Sequence, residues 1–257
     1  MIELDQINNE DCLTTMTGME DNVIDLTVTS PPYDKLRDYL GYSFQFERVA
    51  RELYRVTKDG GVVVWIVNDA TVKGSETGTS FRQALYFKEC GFKLHDTMIW
   101  EKNTFSNPFP NRYHQVTDYM FILLKGKKLR AFNPIMDRKN KCPGKTNSPT
   151  VREADGSLSR RSPKTIGEYG KRFNVWKHPT TRNAHPAPFP VGLVKDHIIS
   201  WSNVGDLIFD PFAGSGTVGV ASIESDRHYI LSEISEEYCE IIKERVDESK
   251  KNKEEND

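Results

Sequence analysis

The chain has 257 residues, of which 37% are hydrophobic and 28% charged, with a formal net charge of −2 at pH 7, and this length suits one α/β domain carrying an insertion or two modest domains. No run approaches the roughly 18 apolar residues of a membrane span, and residues 1–5 lack the basic and apolar regions of a signal peptide. We therefore expect a cytoplasmic protein with no membrane partner, and its four widely spaced cysteines predict free thiols and no metal site.

The predicted elements of the first half alternate in type, as in an α/β domain. Apolar runs indicate strands, and apolar residues at helical spacing indicate helices. In chain order the predictions are a strand at 23–28, a helix at 39–56, a strand at 62–67, a helix at 79–90, and strands at 92–100 and 119–124. The run at 62–67 is continuously apolar, which is typical of a strand buried in a parallel sheet, and the last two strands predict an antiparallel edge. Asn68-Asp69 follow that run, where α/β sheets place ligand groups.

Ser30-Pro31-Pro32-Tyr33 directly follows the first predicted strand and has the composition of an active-site loop. Its prolines remove two backbone donors and leave carbonyl oxygens outward, while Tyr33 adds a flat aromatic face. The exocyclic amine of cytosine or adenine is a poor nucleophile, and the carbonyls of Ser30 and Pro31 could hold it while Tyr33 stacks on the base. Such a base must be flipped out of the duplex. The simpler interpretation is a plain turn, which Pro-Pro often marks.

The charge of the chain is concentrated in one segment. From Lys125 to Arg182 there are 16 Lys and Arg against 4 Asp and Glu, a net charge of +12, whereas the rest of the chain carries −14. This excess predicts a surface that contacts a nucleic-acid backbone, the alternative being a solvated loop without a partner. Residues 126–184 show little periodicity, which predicts a small irregular domain or a segment partly ordered without a ligand.

The second half returns to alternating elements. The predictions are a helix at 190–200, a strand at 206–210, a helix at 215–225, a strand at 228–231, a helix at 235–250 and a disordered tail at 251–257.

A glycine-rich turn joins the strand at 206–210 to the helix after it, in a Gly-x-Gly-x-x-Gly pattern that begins at Gly214. Together with Glu233 after the next strand, it suits NAD or S-adenosylmethionine, or else it is a tight connection without a ligand. Only 38 residues follow Gly219, too few to build a doubly wound domain onward from this strand. Any complete sheet must therefore be circularly permuted, and Asp210 and Ser30 would then meet at one crevice.

Four segments resemble motifs of the β class of amino-methylating DNA methyltransferases. The catalytic motif is matched by Thr29-Ser30-Pro31-Pro32-Tyr33, and the cofactor motif by Asp210-Pro211-Phe212-Ala213-Gly214-Ser215-Gly216-Thr217. In addition, His185-Pro186-Ala187-Pro188-Phe189-Pro190 looks like the family's segment before the cofactor motif, and Asn9-Glu10-Asp11-Cys12 resembles its adenine-contacting turn. The motifs follow one another in the order found in the family, and the resemblance spans nearly the whole chain.

The resemblance implies an α/β fold of the Rossmann-like, S-adenosylmethionine-dependent methyltransferase type. The sheet would be circularly permuted, mixed and mostly parallel, with helices on both faces and a small irregular target-recognition insertion. The implied division is a catalytic half at 1–125, a basic target-recognition region at 126–184, a cofactor-binding half at 185–250 and a disordered tail at 251–257.

The resemblance also implies a role for each matched residue. The catalytic residues would be Ser30, Pro31, Pro32 and Tyr33. The cofactor-binding residues would be Asp11, His185, Phe189, Asp210, Pro211, Phe212, Ala213, Gly214, Gly216, Thr217 and Glu233. Among these, Glu233 would hold the ribose hydroxyls and Asp11 would reach the adenine. Simpler interpretations are a helix cap for Asp11 and a loop hydrogen bond for His185.

Ser30 decides the predicted base, because family members with serine at that position are mostly cytosine-N4 enzymes, whereas adenine-N6 enzymes more often carry aspartate. The resemblance therefore implies in-line transfer of a methyl group from S-adenosylmethionine to N4 of a flipped-out cytosine in double-stranded DNA. No covalent intermediate is needed, and cytosine-C5 chemistry would require Pro-Cys where this chain has Cys142-Pro143.

Several alternatives stay open at this point. They are an adenine-N6 DNA methyltransferase, a methyltransferase acting on RNA or protein amides, a non-catalytic nucleic-acid-binding protein of the same fold, and an NAD-dependent oxidoreductase. A cognate restriction endonuclease as partner, and the choice between monomer and homodimer, are equally open.

Overall fold

The computed structural model describes residues 3–32, 44–105, 110–180 and 190–255. The chain has two compact units, a main unit of residues 1–133 with 174–257 and a second unit of residues 134–173. The helices are α1 Cys12–Thr17, α2 Phe46–Val56, α3 Thr79–Glu89, α4 Val191–Trp201, α5 Thr217–Ile223 and α6 Glu236–Glu254. Within the described ranges, none of these helices is both long and apolar enough to cross a membrane.

Strands of the main unit form one large sheet and one short hairpin. The sheet strands are β1 Gln6–Asn8, β2 Ile24–Thr29, β3 Thr57–Val67, β6 Lys93–Glu101, β7 Thr117–Leu124, β14 Val175–Lys177, β15 Leu207–Asp210 and β16 His228–Ser232. The hairpin strands are β4 Thr71–Val72 and β5 Ser75–Glu76. The second unit holds β8 Arg138–Lys139, β9 Thr146–Asn147, β10 Thr150–Arg152, β11 Leu158–Arg160, β12 Lys164–Thr165 and β13 Tyr169–Gly170.

The large sheet has eight strands in the order β1-β16-β15-β2-β3-β7-β6-β14. The five strands β1, β16, β15, β2 and β3 pair in parallel, each with the next. β7 is antiparallel to both of its neighbours, β3 and β6, and β14 is parallel to β6. β15 thus lies beside β2 although the two are far apart in sequence. The predicted circularly permuted, mixed and mostly parallel sheet is confirmed.

Helices cover both faces of this sheet. Apolar residues of α1, α2 and α3 pack with inward-facing residues of β3, β7, β15 and β16 in one buried cluster, while α4 contacts β2 and β3, and α5 contacts β15, on the other face. All six residues of β2 are buried, as expected of a central parallel strand.

Trp65 is the largest fully buried side chain of the first face. Its Nε1 donates to Gln83 Oε1 at 2.9 Å, and its ring meets Phe87 edge-on with centroids 5.0 Å apart. Trp65→Phe is expected to lower the free energy of unfolding by about 1–3 kcal/mol, because the Gln83 acceptor is left buried without its donor. Urea denaturation followed by far-UV circular dichroism measures this loss.

The matched control for Trp65→Phe is the double variant Trp65→Phe/Gln83→Leu, which also removes the orphaned acceptor. We expect it to recover part of the lost stability. Equal stability of wild type and Trp65→Phe would show that the indole hydrogen bond contributes nothing to the core.

Several elements differ from the sequence-based predictions. β1 was not predicted, β3 begins at Thr57 rather than 62, and β14 pairs with β6, so that β6 is not the edge of the sheet. The helix predicted at 39–56 begins at Phe46 in the structure, and residues 39–43 lie outside the described part.

The disordered tail predicted at 251–257 is wrong for its first residues, because α6 continues to Glu254. Lys253 explains the extension: its Nζ donates to the carbonyl of Ile223 at 2.8 Å and pairs with Asp226. These contacts hold the last turn of α6 against the end of α5.

The second unit is an antiparallel ribbon rather than an irregular segment. β8 pairs with β13, β9 with β12, and β10 with β11, so that the pairs are nested about one hairpin. Strands of two or three residues carry no readable alternation, which is why the sequence of 126–184 predicted irregular structure. The unit also spans only 134–173.

Candidate active site

The carboxyl ends of β2 and β15 bring the two sequence motifs together. The strands pair in parallel with Phe209 opposite Thr27, and the hydroxyl of Thr29 donates to Asp210 Oδ1 at 2.7 Å. Both of these residues are buried. Ser30, Pro31 and Pro32 follow Thr29 directly, so the proline loop starts beside the glycine-rich turn, as the permuted order predicts.

The two oxygens of the buried Asp210 carboxylate differ in their hydrogen bonds within the described part of the chain. Oδ1 also accepts from the Phe212 amide at 3.0 Å, whereas Oδ2 has no hydrogen-bond partner in the described part of the chain. Burial raises the pKa of Asp210 to about 7, against the lowering effect of the bonds from Thr29 and Phe212. A cationic group bound next to Oδ2 would supply the missing partner and favour the ionised form.

Glu233 lies at the end of β16, next to the glycine-rich turn. Its Oε2 accepts from the Gly214 amide at 2.8 Å, and its Oε1 accepts from the Ser235 amide at 2.9 Å. Burial raises the pKa of Glu233, and these backbone amides oppose the rise. Each oxygen keeps a lone pair, so the carboxylate is a fixed acceptor for hydroxyl groups of a ligand.

Two glycines, one at the turn and one in α5, leave room for core side chains that a Cβ would clash with. Gly216 has φ of 78°, and a Cβ on it would lie 2.9 Å from Ile242 Cγ2. A Cβ on Gly219 would lie 2.8 Å from Leu231 Cδ1. The Ala213 amide donates to the carbonyl of Ser232 at 2.9 Å, which holds the turn against β16.

The turn at 9–12 also reaches this end of the sheet. Asn9 Nδ2 donates to the carbonyl oxygens of Glu233 and Ile234 at 3.0 and 3.1 Å. Asp11 is the N-cap of α1, since its Oδ1 accepts from the Leu13 amide at 2.7 Å. The structure thus shows the cap that the sequence left as the simpler interpretation, in a turn fastened beside Glu233.

The structure does not describe every predicted site residue. Tyr33, His185 and Phe189 lie outside the described residues. Among the rest, Pro31, Pro211, Ala213, Gly214, Gly216 and Thr217 are buried, and Ser30, Pro32 and Phe212 are half-buried. The Phe212 ring packs edge-on against Phe44, with centroids 5.4 Å apart, so it belongs in part to the core.

Two contacts beside the site could not be read from the sequence, although Thr29 and Asn68 were both noted there. Thr29 was part of the catalytic motif, but only the pairing of β2 with β15 reveals its bond to Asp210. Asn68, which follows β3, donates to Asp118 Oδ1 at 2.6 Å, and Lys102 Nζ donates to the same carboxylate at 2.7 Å. Asp118 is almost fully buried, so this network braces the sheet edge next to the proline loop.

Comparisons with known proteins found both a family and a relative for this chain. A family model described as DNA methylase matches residues 24–244. The orphan methyltransferase M.BamHII of Bacillus amyloliquefaciens is 55% identical over 238 residues, which cover 88% of this chain and 89% of that protein.

Two solved structures have a similar fold over most of the chain. PvuII DNA methyltransferase, which is cytosine-N4-specific, has a TM-score of 0.71 at 19% identity and covers 95% of this chain and 87% of its own. M1.HpyAVI, solved in complex with S-adenosylmethionine, has a TM-score of 0.64 at 21% identity and covers 93% of this chain and 98% of its own. At such identities the likeness shows the fold.

Proposed function

This chain belongs to the DNA methylase family of N6 and N4 methyltransferases, and on that premise we propose that it methylates the exocyclic N4 of cytosine in DNA. Methyl transfer from S-adenosylmethionine to an exocyclic amine of a DNA base follows from the family. The choice of cytosine over adenine is the proposal.

The observation that supports methyl transfer best is the Thr29–Asp210 bond at the carboxyl ends of β2 and β15. It joins the loop that would hold the amine to the turn that would hold the methyl donor. An NAD-dependent oxidoreductase has no use for the proline loop at that position. Ser30 supports cytosine, because serine at the first position of this loop resembles the cytosine-N4 members of the family.

The residues at the glycine-rich turn fit S-adenosylmethionine. Asp210 Oδ2 would face its positively charged methionine or sulfonium part, Glu233 would accept from the ribose hydroxyls, and the turn at 9–12 would lie along the adenine. When bound, this cofactor supplies an activated methyl group. The remaining wall would come from Phe212 and, outside the described residues, from His185 and Phe189.

The proline loop would position the amine without forming a bond to it. Carbonyl oxygens of Ser30 and Pro31 would accept hydrogen bonds from the exocyclic amine and turn its lone pair toward the methyl group. Tyr33, outside the described residues, would stack on the flipped base. Catalysis would then come from orientation and electrostatics, and the amine would release one proton to solvent water after the transfer.

DNA would be held through the basic segment, residues 126–184, which we propose as the target-recognition region between the catalytic half at 1–125 and the cofactor half at 185–250. The second unit within it carries ten Lys and Arg against four Asp and Glu. A two-stranded ribbon is one of the elements that a major groove admits. Such a surface supports DNA rather than a protein amide as substrate.

Product analysis tests the proposed function. The protein is incubated with S-adenosylmethionine and mixed-sequence DNA, the DNA is digested to nucleosides, and mass spectrometry identifies the methylated base. We expect N4-methylcytosine. N6-methyladenine alone would overturn the choice of base and keep the family activity, whereas cofactor and DNA binding without any methylated nucleoside would favour a non-catalytic binding protein.

A further inference from the structure

Tyr113 is the most exposed large apolar or aromatic side chain in the described part of the chain, with a relative exposure of 103%. It lies in residues 110–116, between β6 and β7 of the main unit. Burying an aromatic ring of this size contributes strongly to binding, and tyrosine suits a site that is apolar on one side and wet on the other. A ring left wholly in solvent on an ordered segment is therefore a candidate contact.

The residues on both sides of Tyr113 are held in place. Arg112 donates to the carbonyl of Gly74 and lies 3.5 Å from a Glu76 carboxylate oxygen. The His114 ring stacks on Phe105, with centroids 3.8 Å apart and ring planes 2° from parallel.

The bonds continue toward the sheet. Gln115 Nε2 donates to Asn68 Oδ1 at 2.8 Å, and the Lys102 amide donates to the carbonyl of Val116 at 2.7 Å. The backbone that carries Tyr113 is therefore anchored on either side, while its ring contacts solvent. An anchored ring loses little further conformational freedom when it binds.

The position of this segment relates it to the candidate active site. β7 runs antiparallel to β3 with Tyr119 opposite Val67, and β2 runs parallel to β3 with Thr29 opposite Trp65. The start of β7 thus lies at the same end of the sheet as Ser30, where the parallel strands have their carboxyl ends. Two strand spacings, about 10 Å, separate the start of β7 from β2.

We propose that Tyr113 stacks on a base next to the target nucleotide and stabilises the DNA opened by flipping. This inference rests on the proposed DNA methylation. Flipping costs a few kcal/mol, and apolar side chains inserted at base steps are a known means of opening a duplex. Every base presents a π-face, so a stacking ring serves any flanking sequence. The polar residues beside Tyr113 already contact other residues of the chain. A single exposed ring among them is too small an apolar patch to bind a protein partner.

The test compares Tyr113→Ala with Tyr113→Phe and wild type on duplexes that carry the methylated site, mapped first in plasmid DNA with the wild-type enzyme. Tyr113→Ala is expected to raise KM for DNA about 5- to 100-fold, the equivalent of one lost stacking contact. A fluorescent analogue at the target position should show reduced flipping. Tyr113→Phe should behave as wild type, and the Kd for S-adenosylmethionine should not change.

A mispaired target base separates stacking from a general loss of DNA affinity. Because a mispaired base costs less to flip, the defect of Tyr113→Ala should shrink on that duplex. Val204→Ala is the matched control, because Val204 is 71% exposed and precedes the amino end of β15, away from the candidate active site. This variant should leave KM for DNA unchanged.

The outcomes distinguish this inference from the proposed function. If wild type methylates DNA and Tyr113→Ala matches it in KM and in target-base fluorescence, the inference is overturned and the function stands. An equal defect on paired and mispaired targets would also overturn it, because Tyr113 would then contact DNA without a part in flipping. If wild type yields no methylated nucleoside, both fail together.

Discussion

Replacing Asp210 by alanine is expected to lower kcat/KM for methyl transfer about 10- to 150-fold. The change removes the carboxylate that would face the cationic cofactor, and it leaves the Thr29 hydroxyl and the Phe212 amide without their acceptor. A hydrogen bond to a charged group contributes about 1.5–3 kcal/mol to binding, whereas each buried donor left unpaired lowers the free energy of unfolding by about 1–3 kcal/mol. Incorporation of a labelled methyl group into DNA measures the rate, and calorimetry measures the cofactor Kd.

The matched variant for Asp210→Ala is Asp210→Asn, which keeps an oxygen for Thr29 and Phe212 but carries no charge. We expect it to fold as well as wild type and to bind S-adenosylmethionine weakly. Wild-type cofactor affinity in Asp210→Asn would show that the charge of Asp210 has no part in cofactor binding.

The pH dependence of cofactor binding offers a second test of Asp210. Its pKa of about 7 in the free protein means that the carboxyl is largely protonated at pH 6. A bound cation favours the ionised form, so binding at low pH releases a proton, and affinity should fall by up to about tenfold per unit as pH drops below 7. Asp210→Asn should lose most of this slope, the remainder belonging to Glu233, whose pKa is also raised. An unchanged slope would contradict the assignment.

Glu233→Ala is expected to raise the Kd for S-adenosylmethionine about 100-fold or more. Two hydrogen bonds from ribose hydroxyls to a carboxylate are worth about 1.5–3 kcal/mol each, and the variant also leaves the Gly214 and Ser235 amides without the acceptor that holds them. Isothermal titration calorimetry with S-adenosylmethionine measures the loss directly, and turnover at saturating DNA should fall in parallel.

Glu233→Gln is the conservative control for that change. Its amide oxygen replaces one acceptor, so the Kd should lie between those of wild type and Glu233→Ala. Near-ultraviolet circular dichroism confirms that both variants keep native packing. If folded Glu233→Ala binds S-adenosylmethionine with a Kd within about threefold of wild type, Glu233 does not bind the ribose. A threefold change in Kd is smaller than the loss of one hydrogen bond to a carboxylate would cause.

Long elements with a clear period were predictable from the sequence. The apolar runs of β2, β3, β7, β15 and β16 and the periodic residues of α2 and α3 all correspond to observed elements, because burial on one or both faces imposes a pattern that spans many residues. The circularly permuted order predicted that β15 and β2 are neighbours, and their parallel pairing confirms this.

Short elements were not predictable in the same way. β1 and β14 have three residues each, and the ribbon strands have two or three, so their backbone pairing leaves no period in the sequence. The extension of α6 to Glu254 depends on Lys253 meeting the end of α5, which is a contact between elements. Local propensity at 251–254, a run of charged and polar residues, indicates a frayed end instead.

The fold class, the order of the two motifs and the residue types at the candidate site could be predicted from the sequence, because strand burial and loop composition leave local patterns. The contacts that hold those residues are visible only in the folded chain: Thr29 donates to Asp210, Asn9 donates to the carbonyl of Glu233, and Tyr113 is exposed on a segment held at both sides. Hydrogen bonds and burial depend on which residues, far apart in the sequence, lie together at one end of the sheet. The pairing of the strands determines which residues these are.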